Sequence, residues 1–215
     1  MVRYHIVIVL CLISLISFGK PKNAEGYIIT LNQDTIYGSF RLKTDKDKKL
    51  IYAKTQEKIS FFNEEGKRTV YHPGEIKSFY FFYNLETLTF KSVPYFKNGD
   101  LFLKVVSEKG NLCLYKLFPD GDKRLTSVYE LAEYAFSTGL SGEKFFFCII
   151  KPNGEILVMG RHTPKNKIRS FFTDYPKLFD KIDSREYKYT DVYRMVREYN
   201  AWKKEAEDGE NSDVE

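Results

Sequence analysis

Two cysteines outside the N-terminal segment, Cys113 and Cys148, are the residues best able to form a covalent link. Each lies between apolar neighbours in a stretch predicted to be a strand. In an oxidising compartment they would form a disulfide if the strands were adjacent and the two Cα atoms lay within about 7 Å. The alternative is two buried thiols that act as small hydrophobic residues. Neither cysteine has a neighbouring histidine or helix N-terminus that would activate a thiolate, so no nucleophile is predicted.

Metal and cofactor sites lack their residues in this sequence. The two histidines beyond the N-terminal segment, His72 and His162, are far apart and have no Cys or His at ligand spacing, whereas zinc needs three or four such ligands. Residues 120–122 (Asp-Gly-Asp) begin like a calcium loop, but the later ligands do not follow. A glycine-rich phosphate loop is also missing. The sequence therefore predicts neither a metal nor a cofactor.

Few residues of the sequence support a hydrolase activity. Residues 139–142 (Gly-Leu-Ser-Gly) do not have the G-x-S-x-G spacing of a serine hydrolase. A pair of carboxylates for glycoside hydrolysis could come from distant parts of a chain, but nothing distinguishes Glu75, Glu86, Asp100 or Glu155 from ordinary turn and surface carboxylates. A carboxylate-dependent hydrolase acting on envelope glycans is therefore the alternative hypothesis, and a domain without catalytic activity is the first.

The aromatic residues are the remaining candidates for a functional site. The chain has 18 phenylalanines and 16 tyrosines, and filling of the core accounts for most of them. Aromatic side chains that stay exposed bind sugars, lipid tails or partner proteins. The densest group consists of Tyr80, Phe81, Phe82, Tyr83, Phe90, Tyr95 and Phe96.

Residues 1–19 resemble a secretory signal peptide. A basic residue, Arg3, precedes an apolar stretch over residues 6–18. Its 13 residues are fewer than the about 20 that a membrane span needs, but they suit the apolar region of a signal, which is about 7–15 residues long. Small residues before Lys20 indicate cleavage there. We predict export to the periplasm or outer cell envelope; an uncleaved anchor is the alternative.

Charge divides the mature chain into a basic body, residues 20–204, and an acidic tail, residues 205–215. The tail has six carboxylates and no base, and it is predicted to be disordered. A basic body favours contact with anionic envelope material or with the tail, although a solvated surface is the simpler interpretation. Because the bases are scattered singly along the chain, no nucleic-acid interface is predicted.

Strand periodicity begins at residues 26–40, where two alternating arms flank Asn32, Gln33 and Asp34. That pattern predicts a hairpin around which the other strands assemble. A strand every 8–12 residues predicts an antiparallel meander, a sandwich or a partly open barrel of about 8–11 strands. The further predicted strands are 50–53, 58–63, 68–72, 75–83, 85–96, 101–106, 112–118, 145–151 and 155–160. Residues 128–136 suit a helix or a strand equally well.

Three short helices are predicted over residues 163–204. Thr163 and Pro164 suit the start of the first helix, Pro176 the start of the second, and Thr190 or Asp191 the cap of the third. Helices after a run of strands indicate an α+β fold. No Pro/Gly/Ser-rich linker divides the chain, so residues 20–204 are predicted to form a single domain.

The chain resembles an exported Gram-negative bacterial family with a strand-rich body. Members show a G-Y-I-x-x-L-N-x-D-T-x-x-G opening, here Gly26 to Gly38, and a helix that ends in Tyr-Asn, here Tyr199 and Asn200. Tyr175 departs from the pattern, since a cysteine is expected before the proline; if that cysteine pairs with another, the bridge is absent here. The resemblance implies an envelope location, but neither an activity nor a functional residue.

Together these observations predict an exported protein of the cell envelope with a binding or structural role. Its partner is a protein, a glycan or a lipid, and the sequence does not choose among them. Membrane contact is expected only through residues 1–19 before cleavage.

Overall fold

Ten antiparallel strands form one open sheet in the computed structural model, which describes residues 23–94, 99–118, 145–160 and 163–212. The strands are β1 (Ala24–Thr30), β2 (Thr35–Phe40), β3 (Ile59–Asn63), β4 (Arg68–Tyr71), β5 (Ile76–Tyr83), β6 (Glu86–Pro94), β7 (Asp100–Ser107), β8 (Cys113–Leu117), β9 (Phe146–Ile150) and β10 (Ile156–Met159).

The order across the sheet is β10-β9-β8-β7-β6-β5-β1-β2-β3-β4. It consists of two meanders, β1 to β4 and β5 to β10, which are joined where β1 pairs with β5. The α+β class and the antiparallel meander are therefore confirmed. Of the predicted meander, sandwich and partly open barrel, the structure has the meander. The sheet is open, and β4 and β10 form its edges.

The predicted central hairpin is confirmed, with β1 and β2 paired from Ala24 opposite Phe40 to Ile29 opposite Thr35. Gln33 takes a positive φ of 72° in the turn. Gly26 and Gly38 face each other in the two strands. A Cβ at Gly38 would lie 2.1 Å from the Phe62 carbonyl oxygen and 2.7 Å from the Phe61 ring, so the missing side chain makes room for the backbone of β3 and for its core aromatic residue.

A short helix, α1 (Tyr52–Glu57), replaces the strand predicted at residues 50–53. That prediction is wrong because a brief apolar run does not distinguish a strand from a buried helix. Leu50 makes only an isolated bridge with Thr44. Gln56, which is buried, then pairs with the backbone of Phe118: its Nε2 donates to the carbonyl at 2.9 Å and its Oε1 accepts from the N–H at 2.7 Å.

One face of the sheet, here called the helix face, carries α1 and the C-terminal helices. A row of directly opposed residues runs across this face from β1 to β10, and its members are Ile28, Phe79, Phe90, Lys104, Lys116, Phe147 and Met159. Over β1, β2, β3, β5, β6 and β7 the face is an aromatic core. Its buried members are Ala24, Ile28, Phe40, Leu50, Ile59, Phe61, Ile76, Phe79, Phe81, Leu88, Phe90 and Phe102.

The C-terminal helices cover the helix face over β8 to β10. They are α2 (Lys165–Phe171), α3 (Lys177–Asp183), a 3₁₀ turn (Tyr189–Asp191) and α4 (Val192–Ser212). The three predicted helices are thus present. Two details differ: Thr163 accepts the Gly160 N–H instead of capping α2, and the acidic tail predicted to be disordered is helical as far as Ser212.

Tyr199 and Asn200, the Tyr-Asn pair noted in the sequence, connect α4 to the rest of the fold through hydrogen bonds. The Tyr199 hydroxyl donates to Asp174. Asn200 Oδ1 accepts the Leu112 N–H at 2.7 Å, and its Nδ2 donates to the carbonyls of Lys109 and Leu112. Asn200 therefore completes the turn between β7 and β8, which is 88 residues away along the chain.

Glu198 joins α4 to α3 and to the connecting segments before and after α3. Its carboxylate accepts hydrogen bonds from Tyr175 (3.0 Å), Lys181 (2.8 Å) and the Tyr187 hydroxyl. Partial burial raises the pKa of Glu198, but the hydrogen bonds from Lys181, Tyr187 and Tyr175 outweigh burial and hold the pKa below its ordinary value. Tyr175, which stands where the family resemblance leads us to expect cysteine, thus has its own role in packing.

We expect Glu198→Gln to destabilise the fold by about 1–2 kcal/mol at pH 7, after allowance for partial exposure. Because the pKa of Glu198 is lowered in the folded state, its contribution is present above the unfolded pKa and is lost as the pH falls through the folded value. Urea unfolding at pH 7 and pH 3 should therefore show a difference from the original protein that narrows in acid. Glu205→Gln, on the same helix, is the control and should change little. A difference that stays constant with pH would contradict this role.

Candidate functional site: a tyrosine ladder on the sheet

Three tyrosines form a row on the face opposite the helix face, on the adjacent strands β2, β1 and β5. Tyr37 is directly opposite Tyr27, and Tyr27 is directly opposite Tyr80. The ring centroids of Tyr27 and Tyr80 are 4.6 Å apart and their planes differ by 17°. Those of Tyr37 and Tyr27 are 5.6 Å apart with a tilt of 54°. We call this row the tyrosine ladder.

Exposure is greatest at Tyr37, at one end of the ladder, and at Phe82, beside the other end. Tyr37 is 60% exposed, and Phe82, two residues after Tyr80 on the same face, is 54% exposed. Tyr27 and Tyr80 are half-buried because their rings lie against each other. Burial, together with the neighbouring Tyr80 and Tyr37, raises the pKa of Tyr27, so its hydroxyl stays protonated and can donate a hydrogen bond.

Hydroxylated and charged side chains border the ladder. Thr89 continues the row on β6, and Thr87 lies opposite Phe82. Ser39 and Glu25 face each other next to the tyrosines on β2 and β1. An aromatic centre with polar and charged residues outside it is the arrangement found in protein interfaces. Such a surface offers non-covalent contacts, and it contains no nucleophile with a partner base.

Strand alternation explains where the aromatic residues go. Phe81 and Phe90 lie in the aromatic core, whereas Tyr80 and Phe82 lie on the ladder face. Tyr83 is half-buried, and its hydroxyl donates to the Lys48 carbonyl. Residues 95 and 96, which belong to the same predicted group, lie outside the described residues. Tyr27 and Tyr37 were not among the predicted site residues, although the alternation in the two arms of the hairpin places both on one face of the sheet.

The two cysteines lie close together on the ladder face of β8 and β9. Cys113 is opposite Ile150, and Cys148 is opposite Tyr115, so the cysteines are diagonal neighbours on adjacent strands. Both thiols are unbonded in the structure, and a bridge between them stays a prediction. Burial raises the pKa of Cys148 to about 12, so this thiol is not a nucleophile at neutral pH.

The candidate ligands and carboxylates do not form a cluster in the part of the chain that the structure describes. No group of three or more His, Cys, Asp or Glu side chains able to hold a metal occurs there. His72 is exposed, and residues 120–122, 139–142 and 162 are outside the described ranges. Glu75 accepts the His72 N–H, and Glu155 pairs with Lys151. Glu86 and Asp100 are exposed on β6 and β7.

Within the described ranges, the helices are too short or too polar to cross a membrane. Comparison of the chain with protein families, with curated proteins and with solved structures finds no match.

Proposed function

We propose that this chain is an exported domain of the cell envelope that has no catalytic role of its own and binds a partner protein through the tyrosine ladder. The observation that carries the proposal is the row Tyr37, Tyr27 and Tyr80, extended by exposed Phe82 on the sheet face opposite the helices. Tyrosine contributes a large, rigid contact area at low entropic cost and still offers a hydroxyl, and it is enriched at binding hot spots.

A protein partner fits the ladder better than a glycan or a lipid. Sugars stack on open aromatic faces, but the mutual stacking of Tyr27 and Tyr80 occupies the faces between them. A lipid surface would favour an apolar patch, whereas the ladder carries phenol hydroxyls and is bordered by Ser39, Thr87 and Thr89. Ring edges, hydroxyls and an uncharged centre match the composition of protein interfaces.

Export rests on residues 1–19, whose charge, apolar length and small residues before Lys20 have the form of a signal peptide. The resemblance to an exported bacterial family supports the same location. The binding experiment therefore begins with protein recovered from the envelope fraction of its host, and N-terminal sequencing should give Lys20 as the first residue. An intact N-terminus in the cytosol would contradict export.

We expect the exported protein to retain one stoichiometric partner protein from an envelope extract, and Tyr37→Ser together with Phe82→Ser to weaken that binding at least tenfold. Both residues are more than half exposed, so these substitutions should leave the fold intact. The measurement is a pull-down, followed by titration of the partner that is recovered.

Tyr193→Ser is the matched control, because Tyr193 is 51% exposed but lies on α4, away from the ladder. It should bind as the original protein does. Equal binding by all variants would overturn the ladder as the interface. Retention of a glycan instead of a protein would reject the proposed partner and favour the glycan hydrolase alternative.

A further inference from the structure

A small basic pocket lies between the end of β2, the start of β3 and helix α1. Its volume is about 20 Å³, which is room for about one water molecule. The buried side chains Phe40, Ile59 and Thr55 take part in its lining. The complete lining is Phe40, Arg41, Leu42, Lys43, Lys54, Thr55, Lys58, Ile59 and Ser60.

Four of the nine lining residues are cationic and none is acidic. Lys54 forms an ion pair with Glu57 at 3.4 Å. Arg41, Lys43 and Lys58 are exposed, and no carboxylate in the described ranges pairs with them. The pocket therefore concentrates positive charge that the surrounding residues do not neutralise.

Ser60 adds an uncharged hydrogen-bond donor to these cationic side chains. Its Oγ accepts the Arg68 Nε–H at 2.7 Å, which leaves the hydroxyl proton for another acceptor, since a hydroxyl group both accepts and donates. Arg68 also brings a fifth cation next to the pocket. A hydroxyl and several cations around an apolar floor bind an oxyanion well, because charge-assisted hydrogen bonds strengthen where water is partly excluded.

We propose that this pocket binds a terminal phosphoryl group, with Arg41, Lys43 and Lys58 as the charged contacts and Ser60 as the hydroxyl donor. The small interior admits only part of such a group, so the remainder of the ligand stays in solvent. Free phosphate and the headgroup of a lipid phosphomonoester share this chemistry. The inference is independent of the tyrosine ladder and goes beyond the proposed binding function.

The test titrates inorganic phosphate into the protein recovered from its host, against chloride at equal ionic strength. We expect saturable changes in the amide NMR signals of Arg41 and Ser60 with phosphate only. Arg41→Gln with Lys58→Gln should weaken phosphate binding at least about tenfold, because two charge-assisted contacts are lost. Lys77→Gln with Arg197→Gln removes the same charge from exposed positions elsewhere and should bind as the original protein does.

Vesicle sedimentation distinguishes the two sources. Binding to phosphatidic acid vesicles but not to free phosphate, lost in the pocket variant and kept in the control variant, would assign the pocket to a lipid headgroup. Saturable binding of free phosphate with the same dependence on the two variants would support a soluble phosphoryl ligand. Equal weakening in the two double variants, or binding of neither probe, would overturn the proposal, because net charge alone would then account for any attraction.

Discussion

Phe79→Ala should lower the free energy of unfolding by about 3–5 kcal/mol, the range for removing a fully enclosed phenylalanine. Phe79 has no exposed surface. Its ring centroid lies 4.9 Å from that of Phe102, 5.0 Å from that of Phe90 and 5.6 Å from that of Phe40. The alanine variant loses these contacts and leaves a cavity that the neighbouring strands cannot close. Urea denaturation followed by circular dichroism measures the loss.

Phe82→Ala is the matched control for Phe79→Ala on the same strand. Phe82 is 54% exposed on the opposite face, so its loss should cost less than about 1 kcal/mol. The contrast tests the register of β5 directly, since a shift of one residue would exchange the two faces of the strand. Equal losses for the two variants would contradict the pairing of β5 with β1 and β6.

Gln56→Ala should destabilise the fold by about 2–4 kcal/mol, because it leaves two buried backbone groups of Phe118 without partners. The Gln56 amide satisfies both the N–H and the carbonyl of Phe118. The same unfolding measurement applies. Lys54→Ala, at an exposed position of α1, is the control and should change stability by less than about 0.5 kcal/mol.

Gln56→Glu separates the hydrogen bonds from the packing of the side chain. A carboxylate keeps the acceptor for the Phe118 N–H but loses the donor, whereas a protonated carboxyl has both. Burial raises the pKa of such a carboxyl in the folded state, so the folded protein binds its proton more tightly than the unfolded chain does. Stability should therefore fall as the pH rises from 4 to 7. A variant that is equally unstable at both pH values would contradict the paired contact with Phe118.

The sequence predicted the elements whose pattern is local. The central hairpin and the hairpin at Asn153 and Gly154 have both alternation and turn residues, and both are present. Helix α1 was missed because its stability comes from a distant contact, Gln56 with Phe118, which no local pattern contains. The length of α4 was underestimated because acidic composition suggests disorder, although Glu207 accepts a hydrogen bond from Asn111.

The candidate site was predictable only in part. An excess of aromatic residues indicated that some would remain outside the core, and Tyr80 and Phe82 do. Their meeting with Tyr27 and Tyr37 depends on the pairing of β1 with β5, which joins strands from the two meanders. Alternation assigns a residue to a face, but it does not state which strands are neighbours. The basic pocket was unpredictable for the same reason, since α1 supplies one of its walls.

The contact of Asn200 with the turn at Leu112 can form only after both residues have been synthesised. A ribosome adds about 5–20 residues per second, so the 88 residues between the two positions take roughly 4–18 s to synthesise. During that interval the β7–β8 turn has no partner for its backbone groups, and the last helix is not yet available to cover β8. The contact between Asn200 and this turn thus forms only when almost the whole polypeptide has been made.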